Sequence, residues 1–218
     1  MVLLKKTSTD IKNSFLKRFL KYFYIRLRSL YGSYILKKIN NKDDIRIVIG
    51  ASGIVPKGWL RTEVEYLNLL KEDTWKKFFK ENQISAILAE HVWEHLTIKE
   101  GELAARNCFK FLKKGGYIRV AVPDGFFPDE NYINHVRVNG EGPGADDHKV
   151  LYNYKTLRKV FEKAGFEVNL LEHFNENGKF IAHQWNKKDG MIYRSKNNDK
   201  RNLDQLNYTS IIIDALKR

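Results

Sequence analysis

The chain has 218 residues, of which 43% are apolar and 13% aromatic, and its 39 Lys and Arg against 26 Asp and Glu give a net charge of +13. This length and apolar content suit one folded domain with an extension and exclude a disordered chain. No uncharged apolar run is long enough to predict a transmembrane helix, and the apolar stretch after Met1 is too short for a secretory signal. The one cysteine, Cys108, cannot form an internal disulfide, which predicts a reducing, cytoplasmic compartment and a buried thiol.

The positive charge is concentrated in the N-terminal segment. Residues 1–44 contain eleven Lys and Arg and three Asp, a net charge of +8, which leaves +5 for the remaining 174 residues. A period of 3.6 residues predicts a basic amphipathic helix here. Such a helix packs on the following domain or on a second copy of the chain as a homodimer, or lies on an anionic membrane surface, whereas nucleic acid is not an expected partner. The apolar face comprises Leu16, Phe19, Leu20, Phe23, Leu27, Leu30 and Tyr34.

After residue 44, apolar strands alternate with amphipathic helices. This alternation predicts a doubly wound α/β domain over residues 45–218, with a mostly parallel sheet covered on both faces. The polar stretch 174–206 interrupts the pattern and predicts an excursion with packing or functional content. Strands are predicted over 45–51, 84–90, 117–122, 166–171 and 208–214, and helices over 72–80, 98–113 and 154–164.

A glycine-containing turn, Gly50-Ala51-Ser52-Gly53, follows the first predicted strand. In open α/β sheets, ligands bind beyond the carboxyl ends of the strands, and glycine lets the backbone approach them closely. The G-x-x-G pattern fits a plain tight turn equally well. Dinucleotide and P-loop fingerprints are both absent, which argues against hydride transfer and phosphoryl transfer. Glu63, ten residues beyond the turn, is either a partner for ribose hydroxyls or a surface acid.

Two histidines and two glutamates lie in the string EHVWEHL at the end of the strand over 84–90. His91, Glu94 and His95 match the H-x-x-E-H pattern of inverted zinc peptidases, in which histidines one helical turn apart share Zn²⁺. The position beside a strand end, rather than within a long helix, argues against that interpretation, and the sequence shows no third ligand. No metal site is therefore assigned. The alternatives are a ligand site at the sheet edge and a junction where Glu94 or His95 caps or packs.

Several motifs together resemble one family. HVWEHL is similar to the H-V-L-E-H-L signature of class I S-adenosylmethionine-dependent methyltransferases of the small-molecule type. LKKGGYIRV over 112–120 resembles the L-K-P-G-G motif before the fifth strand of that family, and LRKVFEKAGF over 157–166 resembles the motif before the sixth. With the glycine turn, Glu63 and the string VPD, the resemblance covers about residues 45–173. The sequence GW at 58–59 leaves no room for the usual helix after the glycine turn, so the chain looks like a short, type 11-like branch of the family.

The resemblance implies a Rossmann-like fold with an antiparallel last strand and S-adenosyl-L-methionine as the cofactor. It implies transfer of the methyl group to a small-molecule, sugar or lipid-linked acceptor, with oxygen as the expected acceptor atom. It also implies that the cofactor is held by Gly50, Ala51, Ser52 and Gly53 at the methionine, Glu63 at the ribose, Asn68, Leu69 and Leu70 at the adenine, and Glu90 and His91 at the next strand end.

An oxygen acceptor must lose its proton, so a general base is expected near the cofactor. The candidates are His91, Asp124 after the strand over 117–122, and His148 in the loop GPGADDH. Histidine suits this role because its ordinary pKa lies near neutrality. Asp146 or Asp147 would orient His148, or one of them would cap the following turn while His148 packs. A metal held by these three residues is a further alternative.

The excursion contributes three more candidates, since His183, Trp185 and Arg194 are expected to cover the acceptor, although Trp185 equally suits a packing anchor. Two functions of other classes stay open. One is a non-catalytic ligand-binding module on the same fold. The other is a zinc hydrolase that uses the H-x-x-E-H residues.

Overall fold

The computed structural model describes residues 8–39, 44–51 and 55–218. One long helix, α1 (Ser8–Ile39), precedes an α/β domain with a seven-stranded sheet. Among the described residues, no helix is long and apolar enough to cross a bilayer. The strands are β1 (Ile45–Ile49), β2 (Leu60–Thr62), β3 (Ile84–Glu90), β4 (Leu112–Pro123), β5 (Glu167–Phe174), β6 (Phe180–Ala182) and β7 (Ser210–Leu216).

The sheet order β2-β1-β3-β4-β7-β5-β6 is that of a Rossmann-like fold. Strands β1 to β4 pair in parallel, while β7 inserts between β4 and β5 and runs antiparallel to both. The predicted α/β class, with a mostly parallel sheet and an antiparallel last strand, is confirmed. Strand β6 extends the sheet beyond β5 as an antiparallel hairpin.

Four helices follow in the domain: α2 (Glu72–Lys76), α3 (Ile98–Phe111), α4 (Glu130–Val136) and α5 (Tyr154–Glu162). Helix α3 begins at a capping box in which the Thr97 hydroxyl accepts from the Glu100 amide and the Glu100 carboxylate accepts from the Thr97 amide. This reciprocal pairing satisfies two amides that a helix start leaves free. Helix α2 is shorter than the predicted helix over 72–80. Helix α4 was not predicted, and its start is fixed by Asp129, which accepts from the Tyr132 amide.

The core lies on both faces of the sheet, as the near-continuous apolar runs of its strands require. On one face, α3 and α5 cover the strands, with Trp75 stacked on Phe111 and Trp93 packed against Phe161. On the other face, part of the excursion takes the place of a helix, and Ile192 is fully buried there.

Buried charged side chains fasten the excursion to the sheet. Arg119 of β4 is 2% exposed and pairs through two nitrogens with the Asp214 carboxylate of β7, at 2.7 and 2.8 Å. The same guanidinium donates to the carbonyl oxygens of Asn186, at 3.0 Å, and Gly190, at 2.6 Å. Each excursion carbonyl thus gains a charge-assisted hydrogen bond, which is stronger than a neutral one.

Helix α1 meets the domain near its C-terminal end. Arg28 donates to Glu65 at 2.5 Å, Leu36 is buried, and Gly32 lies so close to Tyr66 that a Cβ there would come within 2.5 Å of the ring. The predicted helix is confirmed, but its predicted apolar face does not pack on the domain. All seven of those side chains are 51–63% exposed. Apolar and basic side chains are also less cleanly separated than predicted, because the exposed Tyr22, Tyr24 and Tyr31 broaden the apolar surface.

Candidate functional site

The predicted glycine turn begins in a conformation that favours glycine. Gly50 follows β1 with a φ of +62°, and a Cβ at this position would lie 2.9 Å from the Val92 side chain. Both the left-handed backbone and the close approach therefore favour glycine here. Ala51 is buried, whereas Ser52 and Gly53 lie outside the described residues.

Glu63 follows β2, the strand next to β1, so its carboxylate and the Gly50 turn lie at the same edge of the sheet. Its residue is only 8% exposed. Oε1 accepts from Arg61 at 3.3 Å and lies 3.8 Å from the Arg28 guanidinium of α1. The predicted ribose partner is therefore a buried carboxylate next to two guanidinium groups.

The segment from Asn68 to Leu70, predicted to contact adenine, is a turn fixed by hydrogen bonds. The Asn68 Oδ1 accepts from the Leu70 amide at 2.8 Å, and the Asn68 carbonyl accepts from Trp75 Nε1 at 3.0 Å. Leu69 is buried, and its carbonyl accepts from Asn107 Nδ2 at 2.7 Å. These hydrogen bonds fix the conformation of the turn. Its contact with adenine stays a prediction.

Glu90 ends β3 and uses its carboxylate to hold the excursion. One oxygen accepts from the Tyr193 amide at 3.0 Å and the other from the Arg194 amide at 2.8 Å. Both oxygens are thus engaged inside the protein. No local pattern predicts this contact, because it joins residues more than a hundred positions apart. The role of Glu90 in binding the cofactor stays a prediction. The observed orientation of its side chain does not favour that role, because both carboxylate oxygens accept from backbone amides.

His91 directly follows β3 and has a φ of +55°. This backbone conformation is rare for residues other than glycine. Its amide is held by the Ala121 carbonyl at 2.8 Å. Its ring nitrogens face in two directions, with Nε2 3.1 Å from the Ser210 hydroxyl and Nδ1 2.9 Å from the Glu94 carboxylate. Such local strain is typical of functional positions that the surrounding structure fixes.

The H-x-x-E-H residues do not adopt the zinc-peptidase arrangement. Residues 93–95 form a single turn of 3₁₀ helix, and His91 precedes it in the left-handed conformation. His95 instead faces His148, with ring centroids 4.9 Å apart. Glu94, His95 and His148 each place one ligating atom within 4.8 Å of the others. The structure thereby joins residues that the sequence put into two separate candidate sites.

His148 is not oriented by either neighbouring aspartate. Its Nδ1 lies 2.7 Å from the Val136 carbonyl oxygen, and the residue is buried. The Asp147 side chain is 68% exposed, accepts from Lys149 at 3.0 Å and lies 3.5 Å from His95. The interpretation in which Asp147 orients His148 is therefore replaced by a contact from helix α4, which ends at Val136.

A polar cavity of about 230 Å³ opens beside His91. Arg194 and Arg201 supply its positive charge, and Arg201 also pairs with Asp199 and lies over the Tyr208 ring. His183 and Trp185 line a different cavity of about 270 Å³ beside Glu172. Trp185 donates to Glu172 at 2.9 Å and stacks on Arg119, as a packing anchor does. The first cavity is lined by His91, His135, Val136, Gly142, Pro143, Ala145, His148, Arg194, Arg201 and Tyr208.

Asp124, the third candidate base, is fully buried at the end of β4. Its two oxygens accept from the amides of Phe126, at 2.9 Å, and Phe174, at 2.7 Å. Burial raises the pKa of this carboxyl from 3.8 to about 6, an effect that the two hydrogen bonds partly offset. The geometry favours a role in holding β4 and β5 together, and the catalytic role stays a prediction.

This raised pKa predicts a pH effect on stability. The folded protein binds the Asp124 proton more tightly than the unfolded chain, so stability should fall as pH rises from about 4 to above 6, by up to about 3 kcal/mol. Urea unfolding of the wild type and of Asp124→Asn at pH 4.5 and 7.5 measures this, since the variant does not titrate at this position. The wild type should lose more free energy of unfolding between the two pH values than Asp124→Asn does. Asp204→Asn, on an exposed loop, should follow the wild type, and equal losses in wild type and Asp124→Asn would contradict the prediction.

Comparison with known proteins gives similarity at the level of fold. No family model matches the sequence, and no curated protein matches it. A SAM-dependent methyltransferase of Thermotoga maritima, described as a possible histamine N-methyltransferase, is 16% identical over 94% of this chain and 97% of its own, with a TM-score of 0.46. A SAM-dependent methyltransferase of Archaeoglobus fulgidus is 13% identical over 88% of this chain and 94% of its own, with a TM-score of 0.43.

A third similar structure contains ligands. It is the phosphoethanolamine N-methyltransferase 2 of Haemonchus contortus in complex with phosphomonomethylethanolamine and S-adenosylhomocysteine. It is 14% identical over 65% of this chain and 38% of its own, with a TM-score of 0.39. Similarities this loose leave the functional assignment to the residues of the chain itself.

Proposed function

We propose that the chain is a methyltransferase that uses S-adenosyl-L-methionine and methylates an oxygen of a small acceptor. The observation that carries this proposal is the placement of the Gly50 turn, Glu63 and His91 at the carboxyl ends of the adjacent strands β1, β2 and β3. That edge is where ligands of this fold class bind. A close backbone approach at Gly50 suits the methionine part, and the Glu63 carboxylate suits two ribose hydroxyls.

The chemistry asks little of the protein beyond placement. The cofactor's sulfonium activates the methyl group, so alignment of the acceptor with it supplies much of the rate. His91 lines the polar cavity, and in this proposal its Nε2, now 3.1 Å from the Ser210 hydroxyl, exchanges that contact for an acceptor hydroxyl and takes its proton. Glu94 at Nδ1 would stabilise the resulting imidazolium.

The cavity supports an anionic acceptor of small size. Arg194 and Arg201 line it together with three histidines, so a carboxylate or a phosphate on the acceptor would find charge-assisted donors. A phosphorylated sugar or a lipid-linked saccharide offers both that charge and a hydroxyl to methylate.

Titration of S-adenosylhomocysteine into the folded protein, followed by calorimetry, tests the proposal. One molecule should bind per chain, and binding should raise the melting temperature by mass action. A folded protein that shows no binding would overturn the proposal and favour the ligand-binding module as the alternative. If S-adenosylhomocysteine binds stoichiometrically but no hydroxylated, anionic acceptor is methylated, the chain would be a cofactor-binding module and not an enzyme.

We propose also that α1 places the protein on an anionic membrane surface from the cytoplasmic side. Ten large apolar and aromatic side chains of the described part of the helix are more than half exposed, and residues 16–38 contain seven Lys and Arg with no Asp or Glu. Such a face gains free energy by entering the interface while the cations meet lipid phosphates. Pairing with a second copy would bring two sets of like charges together, which disfavours the homodimer alternative.

Vesicle flotation tests this second proposal. The triple variant Phe19→Ser, Phe23→Ser, Leu27→Ser should lower the partition coefficient on phosphatidylserine vesicles by at least tenfold, since each side chain contributes about 1.5–3 kcal/mol when buried. Tyr22→Ser, at the margin of the apolar surface, is the comparison variant and should lower the partition coefficient much less. Because Arg28 contacts Glu63, substitutions are preferable to deletion of the helix. The membrane proposal would be contradicted if the wild type did not bind anionic vesicles. It would also be contradicted if the wild type formed a dimer and the triple variant did not.

A further inference from the structure

Glu94 is a buried carboxylate whose charge lacks a full set of partners. The residue is 1% exposed, and among the described residues neither of its side-chain oxygens accepts a hydrogen bond of acceptable geometry. The 2.9 Å approach of His91 Nδ1 concerns Oε1 alone. Removal of a carboxylate from water is costly unless a cation or several donors compensate for it.

The two histidines beside Glu94 are arranged as metal ligands are. His148 directs Nδ1 to the Val136 carbonyl at 2.7 Å, which fixes that nitrogen as the donor and leaves Nε2 with its lone pair. Ligating histidines commonly make this kind of second hydrogen bond, because it sets the tautomer and the ring orientation. His95 Nδ1 is buried and has no hydrogen-bond partner of acceptable geometry among the described residues.

The backbone holds these residues in place before any ion arrives. The Glu94 carbonyl accepts from the amides of Lys149, at 2.7 Å, and Val150, at 3.2 Å, so the 3₁₀ turn and the segment after His148 are tied together. Trp93, fully buried, anchors the turn by donating to the Gly101 carbonyl at 3.2 Å. A site built on such contacts loses little entropy when it binds a ligand.

We propose that Glu94, His95 and His148 bind a divalent transition-metal ion, with Zn²⁺ as the best match. Two imidazoles and one carboxylate are a ligand set that Zn²⁺ takes in catalytic sites, where a further position stays open. Their ligating atoms lie within 4.8 Å of one another. Zinc bonds of about 2.0–2.1 Å require about 3.3–3.4 Å between ligands in a tetrahedral site, so small side-chain rotations close it.

The position of the ion gives it a direct connection to the polar cavity. His148 lines that cavity, and Oε1 of Glu94 faces His91, which leaves Oε2 for the ion. The open coordination position would take water or an oxygen of a ligand in the cavity. This inference depends on the three ligands alone and not on binding of S-adenosylmethionine.

Metal content and Zn²⁺ titration of the full-length, untagged chain test the inference. After EDTA treatment, dialysis and re-equilibration, mass spectrometry should find one zinc per chain, and Co²⁺ substitution should give visible d–d absorption. Glu94→Gln, His95→Ala and His148→Ala should each weaken Zn²⁺ binding by at least about 100-fold. His183→Ala, which changes an exposed histidine elsewhere, is the matched control and should bind as the wild type does.

The outcomes separate a built site from chance binding and from misfolding. Far-UV circular dichroism and urea unfolding of the same samples identify a variant that fails to fold, and the remaining variants then decide the question. Less than about one tenth of a zinc per wild-type chain, or full zinc retention in the folded variants, would overturn the inference.

Discussion

Replacement of Asp214 by Asn is expected to destabilise the protein by about 3–5 kcal/mol, because it leaves the Arg119 charge buried without its partner. Arg119 is 2% exposed, and Asp214 supplies two of its four hydrogen bonds and the one negative charge that it pairs with among the described residues. Urea unfolding measures the loss. The substitution should also disturb the polar cavity beside His91, since Arg119 holds the excursion that carries Arg194.

An exposed ion pair is the matched control for this prediction. Glu167 pairs with Arg218 at 2.8 Å on the surface, and Glu167→Gln should cost less than about 1 kcal/mol. The double variant Arg119→Met, Asp214→Leu should recover much of the loss, because it removes both charges and fills the space with apolar atoms. If Asp214→Asn and Glu167→Gln lowered the free energy of unfolding equally, the buried pair would contribute no more to stability than the exposed pair.

Replacement of Glu63 by Ala is expected to weaken S-adenosylhomocysteine binding by about 10- to 100-fold. Loss of the carboxylate acceptor should cost a total of about 1.5–3 kcal/mol, because water replaces part of what the ribose hydroxyls lose. Calorimetric titration measures the change. Arg28→Met is expected to act in the same direction with a smaller effect, since this guanidinium lies 3.8 Å from the Glu63 carboxylate.

Glu65 offers a matched control two residues away. It pairs with Arg28 at 2.5 Å and is more exposed than Glu63. Glu65→Gln should change the dissociation constant less than twofold. If Glu63→Ala binds S-adenosylhomocysteine as the wild type does, Glu63 does not bind the ribose. If Glu63→Ala and Glu65→Gln both lose binding, the cause is a general disturbance of the contact between α1 and β2.

The strand and helix pattern could be predicted because it depends on local periodicity. The strand over 84–90 and the start of the helix at 98 agree with β3 and α3, since an apolar run and an amphipathic period are both features of consecutive residues. Strand β6 and helix α4 escaped prediction. They are short, and β6 exists only because β5 offers it a hydrogen-bonding edge.

The candidate site was predictable only in part. Strand order brings Gly50, Glu63 and His91 to one edge, as the sequence motifs implied. The carboxylate of Glu90, by contrast, serves the excursion, and both of its partners come from the chain more than a hundred residues later. Arg119, a charged residue within the apolar string YIRVAV, was the available sign of a buried pair, but its partner could not be read from the string.

By itself, the sequence determined the α/β class, the strand that ends in a glycine turn and the concentration of charge in the first 44 residues. The tertiary structure decided that the apolar face of α1 is exposed, and that His95 lies against His148 rather than beside His91 on one face of a helix, with Glu94 close to all three histidines. The reason is physical. Periodicity reports which side chains avoid water, but the partner of a buried charge is fixed by contacts between segments that only the folded sheet brings together.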